Sequence, residues 1–199
     1  MIAAVVLAGG QGARLGGVNK ALLAFGSGRL ADRALAAVAG CAPVLLAVGA
    51  ADYELAGPRH VRDLTTDYAG PVAGLAAAVA ALAAEPPELL LSLAVDTPFF
   101  PHDFVARALP RLAGAPAVLA AYDGQLYPTN GLWRFGALAD LPERLRAGTA
   151  PRSLKRLGAT LGAAALDYAQ WTAPDPFLNA NTPEDLAALR ARATPIRQP

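Results

Sequence analysis

At 199 residues, with 54% hydrophobic and 17% charged residues, the chain has enough apolar side chain for one sizeable core and is short for two. A formal net charge of +1 gives no broad basic field, which argues against extended nucleic-acid binding and for a small partner molecule. The single Cys41 cannot form an intrachain disulfide and reads as a small buried apolar residue in a reducing, cytoplasmic setting. The apolar N-terminus has no preceding basic residue and stops at Gly9, unlike a signal peptide. The alanine-rich run Leu75 to Ala84 is broken by Glu85-Pro86-Pro87 and is too short to cross a membrane.

Ile2 to Ala8 is an uncharged apolar run that suits the central strand of a parallel sheet, covered on both faces and therefore not alternating. It empties into a loop with glycines at 9, 10, 12, 16 and 17. Such a loop can bring consecutive N–H groups to an anion, and Arg14 and Lys20 add positive charge beside it. A dinucleotide fingerprint fails because Leu15 stands where its third glycine belongs. A P-loop fails because Gly17 is followed by Val18-Asn19-Lys20 rather than by lysine and a hydroxyl residue. A plain glycine-rich turn is the bland alternative, weakened by the loop's length and its two basic residues.

Leu30 to Ala39 has helical spacing closed by Gly40, Val44 to Val48 is a second buried strand, and His60 to Arg62 a third, shorter one. His60 and His102 stand in separate contexts and do not suggest a metal site. Val72 to Ala84 reads as a helix with Gly70-Pro71 at its mouth, a place that attracts anions, and Asp67 just before it is a turn carboxylate on position alone. Glu88 to Val95 contains the longest strand-like apolar run and ends in Asp96-Thr97-Pro98. A carboxylate at the carboxyl end of a central strand sits where open α/β sheets bind ligands, and Mg²⁺ would use it together with substrate phosphate oxygens.

Pro101 to Leu109 reads as helix and Ala117 to Tyr122 as strand, and Asp123-Gly124 as a hairpin turn into Leu126 to Thr129, an antiparallel excursion in a mostly parallel sheet. Leu138 to Ala147 and Ser153 to Leu157 follow as helices, and Ala163 to Tyr168 as an edge strand. Thr182, Pro183 and Asp185 form a strong helix start, which leaves Asn179 and Asn181 without a structural reason. Their amides can donate and accept, and so could read a polar heterocycle or hold a phosphate. The fold expected is α/β: a single Rossmann-like three-layer sandwich over residues 1–199. About 1–100 and about 101–190 would form its two halves, and 191–199 a tail.

The pattern Leu-Ala-Gly-Gly-x-x-x-Arg-Leu-Gly-Gly-x-x-Lys resembles the signature of nucleotidyltransferases, and within them most closely the molybdenum cofactor guanylyltransferases. The likeness recurs at 67–74, 96–99 and 177–186 and so spans nearly the whole chain. It implies transfer of GMP from GTP to molybdopterin with Mg²⁺ as cofactor, the half at about 1–100 binding the nucleoside triphosphate and that at about 101–190 the acceptor. Leu7, Ala8, Gly9, Gly10, Gly12, Lys20, Asp67 and Asp96 would bind nucleotide and Asn179 and Asn181 the acceptor. Arg14, Lys20 and Asp96 would be catalytic, with Asp96 holding the metal. It also implies contact with molybdoenzymes or their chaperones, as a monomer or weak oligomer. The chain departs from the family pattern at Asn19, Val95 and Tyr127-Pro128, and lacks an asparagine after Ala47-Val48-Gly49. A cytidylyltransferase, or a catalytically silent nucleotide-binding subunit, are the rival readings.

Overall fold

The computed structural model describes residues 1–9, 11–12, 18–49, 55–66 and 70–193. Eleven strands occur among them: β1 Ile2–Leu7, β2 Gln11–Gly12, β3 Val18–Asn19, β4 Ala24–Phe25, β5 Gly28–Arg29, β6 Val44–Ala47, β7 Arg59–Val61, β8 Leu89–Ala94, β9 Ala117–Tyr122, β10 Gln125–Arg134 and β11 Ala164–Asp167. The α-helices are α1 Leu30–Ala37, α2 Pro71–Leu82, α3 Phe104–Ala108, α4 Leu141–Arg146, α5 Leu154–Leu161 and α6 Pro183–Ala193. None is long and apolar enough to cross a membrane.

Seven strands form one sheet in the order β11-β9-β10-β8-β1-β6-β7, and β2-β3 and β4-β5 are small separate pairs. Every neighbouring pair in the large sheet is parallel except the two that β10 makes, with β8 and β9. This is the expected α/β sandwich with one late antiparallel strand. β1 sits near the centre and is flanked by parallel partners on both sides, which is why Ala3 to Ala8 could be apolar without a break.

One sheet face packs against α2, α4 and α5, through Leu75, Leu141, Leu145, Leu154 and Leu157. The other carries α1 and α3 with Phe104, Tyr168 and Phe177. A smaller cluster joins Phe25 and Leu30 to Leu186 and Leu189, and so docks α6 beside the start of α1. α2 is short of bulk but buried nearly all round, as an alanine-rich helix lying close on a sheet must be.

Several boundaries differ from the sequence expectation, each for a local reason. β10 runs to Arg134 rather than stopping at Thr129, because Asn130 and Gly131 break the apolar pattern without breaking the strand, and its register against β9 shifts between Tyr127 and Gly131. The helix expected over 101–109 is α3 only for Phe104–Ala108, and Pro110 carries the chain on into a 3-10 turn, Leu109–Ala113. The expected 138–147 helix is split into a 3-10 turn at Phe135–Leu138 and α4. α5 extends to Leu161, starting from a Ser153 cap whose side chain accepts the Arg156 N–H and ending at Gly162 in the left-handed region.

Candidate active site

The register brings three strand ends level: Leu7 of β1 lies opposite Ala47 of β6 and Ala94 of β8. The chain leaves these strands as Ala8-Gly9, Val48-Gly49 and Val95-Asp96, all at the carboxyl edge where such sheets bind ligands. At this edge Gly9 and Gly49 touch backbone to backbone. A Cβ on Gly9 would lie 3.0 Å from the Gly49 Cα and N, and Gly49 has φ +62. Backbone cannot yield there as a flexible side chain would, so Gly9→Ala should push the two loops apart. Overpacking of this kind costs roughly 1–3 kcal/mol. The expected result is a lower melting temperature by calorimetry; an unchanged melting temperature would refute the close-approach argument.

Asp96 is buried, and its Oδ2 accepts the Lys20 ammonium at 2.5 Å. Lys20 also donates to Asn181 Oδ1 at 2.8 Å. Lys20 opens a 3-10 turn, Lys20–Leu22, whose cap is Asn19: its Oδ1 accepts the Ala21 N–H at 2.9 Å. Asn19, a departure from the family pattern, therefore holds the turn that presents Lys20. The Asn181 segment is fixed to Asp96 by the Ala180 N–H donating to the Asp96 carbonyl at 3.2 Å. It is fixed to α6 by Asp185, which accepts the Asn181 and Thr182 N–H groups while its own N–H donates to Thr182 Oγ1.

These groups open on a cavity of about 260 Å³ lined by Leu7, Gly9, Lys20, Gly49, Asp63, Asp96 and Asn179, among others. Gly70 and Pro71 at the mouth of α2 also line it, and Gly70 caps the helix without a side-chain bond. That leaves a helix N-terminus facing the cavity, favourable for anions. A larger cavity of about 570 Å³ lies beyond Pro98 and is lined by none of the sequence-predicted site residues. The chemistry-bearing groups converge in the smaller one.

Of the sequence-predicted residues, Leu7, Gly9, Lys20, Asp96 and Asn179 line the cavity, and Asn181 is joined to it through Lys20. Ala8 is buried beneath, its N–H donating to the Ala47 carbonyl. Gly12 pairs with Val18 in the β2-β3 ladder, and Gly10, Arg14 and Asp67 lie outside the described residues. The sequence reading missed Asp63, which lines the cavity from just beyond β7, with its carboxyl pKa raised by burial. The signal was available, since Asp63 follows a strand end as Asp96 does. The reading also missed Thr97 and Asn130, both buried and hydrogen-bonded beneath Asn179.

The donor set suits a hard divalent cation in one manner only. Among the described residues no group of three or more His, Cys, Asp or Glu side chains could cage a metal. Asp96 offers one carboxylate in a cavity with room for phosphates, and Lys20 engages its Oδ2. One carboxylate with substrate phosphate oxygens and water is the arrangement Mg²⁺ prefers.

The MobA-like NTP transferase domain family matches residues 4–164. The chain is 40% identical over 191 residues to a molybdenum cofactor guanylyltransferase of Acidiphilium cryptum, covering 94% of this chain and 93% of that protein. It is 35% identical to another of that name from Nitrobacter hamburgensis, over 92% and 90% of the two chains. Among solved structures, the molybdopterin-guanine dinucleotide biosynthesis protein A of Archaeoglobus fulgidus superposes with a TM-score of 0.72 at 22% identity, over 97% of this chain and 98% of that one, a likeness of fold. With the family match running from β1 into β11 and the relatives aligning nearly end to end, the chain belongs to the MobA-like NTP transferase family, as a nucleotidyltransferase related to the molybdenum cofactor guanylyltransferases.

Proposed function

We propose that this nucleotidyltransferase moves GMP from GTP to the terminal phosphate of molybdopterin, releasing pyrophosphate, in the cytoplasm, and that molybdoenzymes or their chaperones receive the product. The observation that carries this reading is the position of the Lys20 ammonium between Asp96 Oδ2 and Asn181 Oδ1, at the rim of a cavity bounded by strand-end loops and a helix mouth. The names of the relatives supply the substrates.

An acceptor phosphate monoester, with a second pKa near 6, is already mostly dianionic at neutral pH, so no strong base is needed. Its oxygen bonds to the α-phosphorus of GTP as the bond to the bridging oxygen breaks, and pyrophosphate leaves. The protein's part is to position the reactants and balance charge. Loop N–H groups around Leu7 to Gly12 and the mouth of α2 would hold phosphates. Lys20 and Arg14 would balance the triphosphate, and Asp67 would orient the nucleotide. Asp96 would hold Mg²⁺, which supplies charge neutralisation between phosphates. Asn179 and Asn181 would face the acceptor, so that the first hundred residues mainly serve the nucleotide and the remainder the acceptor.

Base choice follows from Asp63 together with the loop backbone at Leu7 to Gly9. Guanine presents two adjacent N–H donors, which a carboxylate accepts together, whereas cytosine offers a single amino donor beside its N3 and O2 acceptors, which a carboxylate repels. Because burial raises the Asp63 pKa, acidification neutralises this carboxylate sooner than an exposed one, and the preference for GTP should fall first there. Competition of equal GTP and CTP for molybdopterin, read by mass spectrometry, should give mainly guanine dinucleotide. Asp63→Asn should cut the GTP-to-CTP product ratio about tenfold and flatten its acid dependence. Mainly cytosine dinucleotide from the unaltered protein would overturn the assignment of GTP.

A further inference from the structure

Asn179 lines the cavity with an amide that could face a ligand by either end, as an accepting carbonyl or as a donating NH₂. A buried chain of hydrogen bonds decides between them. It starts at the Ala94 N–H, which donates to Asn130 Oδ1 at 2.9 Å. A backbone N–H can only donate, so the Asn130 oxygen is fixed on Ala94 and its Nδ2 is turned to Thr97, whose Oγ1 it meets at 3.4 Å. The Thr97 hydroxyl has one proton. Its oxygen takes the Asn130 N–H, and the proton goes to Asn179 Oδ1 at 2.9 Å. Asn130 and Thr97 are 0% and 1% exposed, so bulk water does not reset the sequence of donors. The Asn179 carbonyl is thereby engaged inside, and its NH₂ is the end left for the cavity.

Asn130 reaches this position through the irregularity in β10. The β8-β10 ladder pairs Leu89 to Ser92 and ends at Gly131, short of Ala94, and the β9-β10 register shifts between Tyr127 and Gly131. The Asn130 side chain replaces the missing ladder acceptor at the strand end that delivers Asp96.

We propose that Asn130 is a positioning residue which, acting through Thr97, holds Asn179 with its NH₂ towards the phosphate of the acceptor. This rests on the guanylyl-transfer reading above. Phosphate oxygens only accept, so an amide set donor-first binds them and one set carbonyl-first repels them.

The test is transfer of radiolabelled GMP from GTP to molybdopterin, with KM determined for each substrate. Thr97→Val, nearly the same shape but without the hydroxyl, should raise the acceptor KM about tenfold while leaving the GTP KM within about twofold. Thr97→Ser keeps the hydroxyl and should restore the acceptor KM. Asn130→Asp reverses the relay: the carboxylate accepts from both Ala94 and Thr97, Thr97 turns its proton away from Asn179, and the Asn179 carbonyl swings to the cavity. The acceptor KM should rise at least as far. If that buried carboxylate prevents folding, the two Thr97 variants decide the matter. An unchanged acceptor KM in Thr97→Val, or GTP and acceptor KM rising together without rescue by serine, overturns the relay while the functional reading stands. No dinucleotide from the unaltered protein overturns that reading, and the relay's ligand with it.

Discussion

Asp96→Asn is expected to lower kcat for GMP transfer at least about 100-fold at saturating GTP and Mg²⁺, the loss attributed to one well-placed electrostatic group. The substitution keeps the side chain's shape and removes the charge that the proposed metal site depends on. It also leaves the Lys20 ammonium, 13% exposed, without its charged partner, facing only the neutral oxygens of the new amide and of Asn181 among the bonds described above. Removing one member of a buried ion pair costs up to roughly 3–5 kcal/mol, so the variant should melt at a lower temperature. Activity therefore has to be measured well below that melting point and titrated with Mg²⁺. Near-normal Mg²⁺-dependent turnover by folded protein would refute the metal assignment.

Lys20→Ala is expected to lower kcat/KM for GTP by roughly two to three powers of ten, since it withdraws a cation from the developing charge on the phosphates. It is expected to cost stability as well, because Asp96, with its side chain only 11% exposed, loses its ion-pair partner. The double variant Lys20→Ala/Asp96→Asn separates the two effects. With neither charge left buried and unpaired it should melt above Lys20→Ala alone, yet it should be no more active than the weaker single variant. Calorimetric melting curves with single-turnover kinetics provide the check. Recovery of activity along with stability would mean that Lys20 acts through the fold and not on phosphate.

The sheet edge that carries the site was legible because the sequence states it locally. An uninterrupted apolar run ending in Gly9, and a second, broken only by Ser92, ending in Asp96, mark two buried parallel strands and the crevice beyond them. The capping pattern at Thr182, Pro183 and Asp185 likewise names its own helix start. What escaped was set by partners distant in sequence. Asp63 follows a strand end as Asp96 does, but in a polar, turn-rich stretch, and the pairing of β6 with β7 is what brings it to the cavity. Asn130 lies beyond the strand end expected at Thr129, and the register shift against β9 within the longer β10 turns it to the end of β8. Asn19 departs from the pattern expected by resemblance, but its amide oxygen caps the Lys20 turn as a carboxylate would.

The bond between Lys20 and Asn181 joins residues 161 positions apart, and that between Lys20 and Asp96 residues 76 apart. Each doubling of a closed loop adds only about 0.6 kcal/mol of chain entropy, so such separations cost little at equilibrium. Their price is in time, since contacts between remote residues form late in folding. As the ribosome delivers the chain, β1, β6, β7 and β8 precede the antiparallel strand that sits against β8, and the asparagine segment comes later still. The strand ends that bound the cavity can thus be in place before the asparagine segment closes over them. Acquisition of transfer activity in a synchronised translation reaction should accordingly lag behind protection of the β1-β6-β8 core from proteolysis.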